Sequence, residues 1–219
     1  MHSRRALLAM AAAAAIVPSA AFPVAAWAAA AAPPVLTPQD QAQVDKAVAY
    51  LQDLAEAKGR FVQTDARGAT TQGELFLKRP GKARFAYDPP SGLLVVSYGG
   101  RVIVQDKRLD TFTAYPLGAT PLSLFLAKTI RLDRGVQVTR VSQAADGFTI
   151  TARDGKRETA GQISLTFTDN PMALVGWTVT DAQGRTTQIR ISGLQRASGL
   201  DPALFVLINP HSAAAVNRP

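Results

Sequence analysis

The sequence predicts a mainly β fold, an antiparallel meander of about eleven strands with one helix laid against it, and three observations carry that expectation. From Arg60 onward, short segments alternate apolar and polar residues with the period of a strand. Turn pairs punctuate them at Arg67-Gly68, Pro80-Gly81, Pro89-Pro90, Gly99-Gly100, Asp146-Gly147, Asp154-Gly155, Asn170-Pro171 and Gln183-Gly184. Two segments, Leu93-Leu94-Val95-Val96 and Val102-Ile103-Val104, are apolar on both faces and so require cover on both sides of the sheet. A curved sheet with helices against its concave side meets that requirement. Elsewhere alternation sets Phe85 with Tyr87, Phe148 with Ile150, Ile163 with Leu165 and Phe167, Val175 with Trp177 and Val179, and Ile189 with Ile191 on faces that supply one apolar interior.

Ahead of the meander stands an export signal: Arg4 and Arg5, an alanine-rich apolar run from Ala6 to Val17, then small residues through Ala32. Ala26-Trp27-Ala28 fits a small-x-small cleavage site, as do alanine positions up to Ala32. Residues 1–32 are therefore expected to be removed and 33–219 to form one exported domain. Ser3-Arg4-Arg5-Ala6-Leu7-Leu8 resembles a twin-arginine signal and also fits an ordinary basic n-region, so both export routes stay open.

Thr37-Pro38-Gln39-Asp40 supplies an N-cap, a proline at the first helical position and an acid near the positive helix end. Val44, Ala47, Val48, Leu51, Leu54 and Ala55 then form one stripe at three-and-four spacing, and Lys58-Gly59 is expected to end the helix. The stripe is rich in Ala and Val, so its contact is shallow and such a helix can move. Strands are expected at 60–66, 71–79, 83–88, 92–98, 101–106, 110–115, 136–143, 147–153, 161–168, 173–180, 185–194 and 204–208. Thr120-Pro121 starts a short helical turn through Leu122, Leu124, Phe125 and Leu126 that divides the meander into two halves.

One motif within the meander suggests a moving part. In Gly73–Asp88, Leu75 and Leu77 share one strand face, Glu74 and Lys78 the other, and Phe76 interrupts the polar side. Pro80-Gly81 ends the strand and leaves the Arg79 guanidinium at the lip of an apolar face. A fixed charge there suits a latch or gate.

Composition excludes other classes of function. The formal charge is +8, and +6 once Arg4 and Arg5 are removed, but Lys and Arg are interspersed with acids and no basic tract suits nucleic acid. No apolar run after the signal reaches the ~20 residues a spanning helix needs. With no cysteine there is neither a lipid-attachment thiol nor a disulfide. The two histidines are His2 and His211; no Gly-x-Ser-x-Gly elbow, metal-ligand spacing or phosphate loop appears, so neither an enzyme, a metal nor a cofactor is expected.

Taken in order, the motifs resemble the LolA family of periplasmic outer-membrane lipoprotein carriers. Arg60-Phe61-Val62-Gln63 is similar to that family's opening strand, and Gly73-Glu74-Leu75-Phe76-Leu77-Lys78-Arg79-Pro80 to its most recognisable motif. Phe85, Tyr87 and Pro89-Pro90 follow, then the paired strands from Leu93 to Gln105. Pro121–Leu126 resembles the short lid helix, and Leu204-Phe205-Val206 to Pro210 the closing strand. Gly81-Lys82-Ala83-Arg84 departs from the family in being more basic and in lacking a tryptophan.

The resemblance implies an incomplete, strongly curved antiparallel β-barrel capped by short helices over an apolar cavity for acyl chains. It implies that Arg79 fastens the lid by hydrogen bonds to lid backbone. It also implies acylated lipoproteins as cargo, an inner-membrane ABC-type release complex as donor, an outer-membrane acceptor and a monomeric carrier. The residues nominated to line the cavity are Phe61, Leu75, Leu77, Phe85, Tyr87, Leu93, Val95, Ile103, Leu122, Phe125, Leu165, Phe167 and Trp177. Periodicity alone does not separate a lipid cavity from a filled core, and a related fold that binds another amphiphile or senses lipoproteins remains the alternative.

Overall fold

Helix α1, Pro38–Asp53, starts where the capping signals place it: the Thr37 hydroxyl accepts from the Asp40 amide, and the Asp40 carboxylate accepts from the Thr37 amide. The computed structural model to which it belongs describes residues 35–120, 122–132, 135–155 and 161–207. The export signal, Pro121 and the last part of the expected closing strand lie outside the described residues.

The strands are β1 (Glu56–Thr64), β2 (Thr70–Lys78), β3 (Lys82–Tyr87), β4 (Leu93–Tyr98), β5 (Arg101–Asp106), β6 (Thr111–Pro116), β7 (Val136–Ala144), β8 (Gly147–Asp154), β9 (Gln162–Asp169), β10 (Met172–Thr180) and β11 (Thr186–Arg196). A second helix, α2 (Leu122–Leu126), lies between β6 and β7. All strands join one antiparallel sheet in the order β6-β5-β4-β3-β2-β1-β11-β10-β9-β8-β7. Every neighbour in it is a neighbour in sequence except β1 and β11, which pair Ala57 with Arg196 and Phe61 with Ile191. The two half-meanders thus meet at a central seam, and the strands flanking α2 are the outer edges.

The sheet is curved, and one contact is enough to require it. Phe85 on β3 and Trp177 on β10 lie four strand positions apart, about 19 Å in a flat sheet, yet their ring centroids are 6.1 Å apart. Phe61, Leu75, Leu77, Phe148, Ile150, Ile163, Leu165, Phe167 and Ile189 project onto the same concave side and are buried there. Val44, Ala47 and Leu51 of α1 and Phe125 and Leu126 of α2 pack into that core.

Four expectations are corrected. Helix α1 stops at Asp53, and Lys58-Gly59 lies inside β1, because the chain from Glu56 pairs with both β2 and β11 and that gain outweighs further helix. Ala55, placed on the helix stripe, is consequently exposed. The closing strand at 204–208 is instead a 3-10 turn over Pro202–Phe205, whose N-cap Asp201 accepts from the Ala203 amide at 2.9 Å. Val175 does not share the inner face with Trp177: a bulge between Leu174 and Gly176 makes it the extra residue, and Leu174 is buried in its place.

The two-sided burial of β4 has its cover as well. Leu94 and Val96 face the convex side, where the Pro202–Phe205 turn lies over β3 and β4 with Phe205 fully buried. Arg84 donates to the Leu204 carbonyl at 2.9 Å and secures it. Phe76, the interruption in β2's polar face, stands in register with Arg84 and through it with Val96, beneath the same cover.

Candidate functional site

The β2–β3 turn carries Arg79 one residue beyond the end of β2, and its backbone is already tied to the segment that leaves α1 and to the end of α2. The Arg79 amide donates to the Ala55 carbonyl and the Gly81 amide to the Leu126 carbonyl, each at 2.8 Å. The guanidinium reaches both helix ends at once. Nε and Nη2 donate to the Ala127 carbonyl at 3.2 and 2.8 Å, and Nη2 also to Lys128 at 3.3 Å. Nη1 donates to the Gln52 carbonyl at 3.3 Å and, closer still, to that of Leu51.

The Gln52 carbonyl is one that a helix leaves over at its C-terminus, at the negative end of the dipole; that of Leu51 also accepts from the capping Leu54 amide at 3.3 Å, and Ala127 and Lys128 lie just past the end of α2. Arg79 joins carbonyls of α1 and of the segment leaving α2 with a single planar fork. No carboxylate takes part in these contacts. Burial lowers the guanidinium's pKa from its usual value, yet arginine remains charged at neutral pH.

Gln52 adds a second tie, and the sequence reading passed over it. Its Nε2 donates to the Lys128 carbonyl at 3.2 Å and its Oε1 accepts from the Ile130 amide at 2.8 Å. One polar residue on the exposed side of an amphipathic helix carries no signal of such a role.

Beneath the helices the nominated residues converge. Phe61, Leu75, Leu77, Phe85, Phe125, Leu165, Phe167 and Trp177 are buried in one cluster, with Tyr87, Val95 and Leu122 packed against it. Phe61 meets Phe85 and Tyr87 edge to face at 5.5 and 5.0 Å, and the α2 residue Phe125 lies 5.2 Å from Trp177. The Tyr87 hydroxyl donates to Gln63 at 2.7 Å, and burial pushes its pKa up to about 12.

Two nominees fall elsewhere. Ile103 stands opposite Val96 in the β4–β5 register and therefore belongs to the convex face; an unbroken apolar run hides which face a residue takes. Leu93 pairs with Asp106 near the end of β4, half-buried and outside the cluster. The nominations also omitted Phe148 and Ile150, although their alternation marked them as interior, and Leu126, Ile130 and Leu132 from the lid and the segment after it.

The buried side chains pack against one another in the interior of this closed arrangement. Space remains at its margins: about 320 Å³ between α2 and the ends of β8–β10, and about 580 Å³ between α1, residues 129–132 and β7. Among the described residues no group of three His, Cys, Asp or Glu could hold a metal ion, and no helix is long and apolar enough to cross a membrane.

The family model described as outer membrane lipoprotein carrier protein LolA matches residues 52–207. The chain belongs to the LolA family. An outer-membrane lipoprotein carrier protein of Methylobacillus flagellatus is 29% identical over 186 residues, covering 80% of this chain and 89% of its own. That of Methylococcus capsulatus is 30% identical over 156 residues, covering 68% and 74%. That of Chromobacterium violaceum is 27% identical over 181 residues, covering 80% and 86%. For a LolA-family chain, the match takes in Gln52, Arg79 and Lys128, while Leu51 and the rest of α1 before it precede the matched residues.

Proposed function

We propose that this protein shields the acyl chains of lipoproteins in the interior beneath α1 and α2, and that Arg79 is the latch of the lid. As a LolA-family member it is a periplasmic carrier and not an enzyme. The observation that carries the latch is the guanidinium that joins the ends of both helices through backbone carbonyls alone.

The physical logic follows from burial. Each acyl methylene withdrawn from water contributes about 0.8 kcal/mol, so a multiply acylated protein crosses an aqueous compartment only inside an apolar container. The closed lid hides the apolar faces of both helices from water while the carrier is empty. Cargo must offer more contact to the open form than the clasp offers to the closed one, and the difference sets an affinity between those of donor and acceptor. Hydrogen bonds to a charged group contribute about 1.5–3 kcal/mol, strong enough to hold and weak enough to exchange for acyl contacts. The nominated residues that share the interior are the lining of the opened state. Loading is from an inner-membrane ABC-type release complex and unloading is to an outer-membrane acceptor. The working form is the monomeric chain left when residues 1–32 are cleaved.

The test is a transfer assay. Membranes that bear labelled lipoproteins and the release complex are incubated with the purified protein, and soluble one-to-one complexes are scored. Their appearance is the expected result. Free lipid bound in place of acylated protein, with the release complex proven active, would replace this reading with carriage of another amphiphile.

A further inference from the structure

The contacts along the lid follow one another in sequence. Leu126 is held by the Gly81 amide, Ala127 and Lys128 by Arg79, and Lys128 and Ile130 by Gln52. Leu126 and Ile130 are both sunk in the core beside their hydrogen bonds, at 1% and 3% exposed, but the tie at Ile130 comes from a side chain of α1, and Leu132 follows it inward with Arg131 between them exposed. The segment after α2 is thus nailed down on alternate residues, whereas Ala127 and Lys128 are partly buried and exposed.

The chemistry at this last step is specific to a carboxamide. Lys128 presents a carbonyl and Ile130 an N–H, so the partners require a donor and an acceptor from one planar group, which also fixes which amide atom faces which. Glutamate would satisfy Ile130 and turn an oxygen on Lys128; a hydrocarbon would satisfy neither.

We infer that Gln52 is the pivot of the lid: it fixes residues 128–130 to α1, so that release of Arg79 swings α2 about this point rather than detaching the whole segment. Gln52 is a positioning residue, acting on the lid backbone and not on cargo. Its meaning for transport rests on the carrier reading, but its geometry does not. The consequence is directional: an opened lid moves at its Leu122 end, beside the 320 Å³ space lined by Ser123, Leu124, Ala152 and Ile163, while its Ile130 end stays put.

Residue-resolved amide exchange on the protein without its export signal tests this. In Arg79→Leu, the Gly81 amide should exchange about tenfold faster or more while the Ile130 amide keeps its protection. In Gln52→Ala, the Ile130 amide should speed up by about tenfold with β9 amides unchanged. Gln52→Glu retains the acceptor and should retain Ile130 protection, a rescue that a general loss of packing would not produce. Ile130 protection that survives Gln52→Ala, or that is lost along with Gly81 in Arg79→Leu alone, overturns the pivot. Binding of a fluorescent fatty-acyl probe is measured on the same samples. Absence of probe binding with the expected exchange pattern would count against the carrier reading alone, and the reverse pattern against the pivot alone.

Discussion

Lys78 and Arg79 are adjacent cations at one strand end, and each fastens a segment to an opposite face of the sheet. Arg79 reaches the concave side and holds helix ends by their carbonyls. Lys78 turns to the convex side, where it pairs with Glu56 at 2.9 Å and donates to the Leu200 carbonyl at 2.9 Å. Glu56 in turn accepts from the Leu200 amide at 2.8 Å. Beyond that tie the C-terminal turn sinks Phe205 wholly into the convex layer, whereas the clasp of the lid covers side chains that must later make room. A fastening made of a counter-charge plus a buried aromatic suits permanence. A fastening made of one charge against peptide dipoles, with a shallow Ala and Val stripe beneath it, suits release.

The largest effect should come from the permanent side. Phe205→Ala removes a fully buried ring and is expected to cost about 3–5 kcal/mol, read as a lower midpoint in urea. Arg79→Leu comes next, with a loss of about 2–3 kcal/mol concentrated in lid closure. Its signature is faster escape of bound acyl probe with a urea midpoint shifted less than in Phe205→Ala. If Arg79→Leu unfolds the protein as readily as Phe205→Ala, the distinction between latch and strap fails. Arg79→Lys keeps the charge but not the fork and should fall between Arg79→Leu and the natural protein in probe retention.

Acid sharpens the comparison further. Lys78 and then the Leu200 amide hold the Glu56 carboxyl below its usual value, with burial opposing them. A depressed folded pKa contributes stability that is complete above the ordinary value of 4.5 and is lost as pH falls through the lowered one. Residues 197–207 should therefore become open to an acid protease at low pH, while the bonds of Arg79 to Ala127 and Lys128, which involve no titrating partner, persist. Simultaneous loosening of the lid at that pH would show the two fastenings to be one unit. The Asp53–Arg196 pair at the end of α1 shares the same sign and is the control: Arg196→Gln removes its acid response and leaves that of Glu56. The smallest effect is Lys46→Ala, which breaks a half-exposed pair with Asp169 and should change stability by less than about 1 kcal/mol in the same titration.

Much of this was legible in the residues. Alternation and turn pairs located eleven strands because a half-buried strand must alternate, and the capping box around Thr37 located the start of α1. The Arg79 position was marked by the proline that ends its strand. The misplacements share a cause in tertiary pairing, which no local pattern reports. Helix α1 ends early because β1 has partners on both sides, Ile103 turns outward because its neighbours are apolar in both directions, and Val175 loses its place to a bulge. Gln52 was illegible for a different reason: its partners lie 76 and 78 residues away, on a segment whose return to α1 is a property of the fold.

The seam between β1 and β11 also governs how the chain reaches this structure. Ten strand-to-strand or hairpin steps separate Ala57 from its partner Arg196, and closing a loop of that length carries its entropy cost before any pairing is gained. Each half-meander can form from contacts near in sequence, so the halves are expected to condense first and the seam to zip last, in the slow range typical of non-local β pairing. Until it does, β1 and β11 are bare edges able to pair with another chain. The interval between synthesis and seam closure is therefore when this protein is most exposed to aggregation.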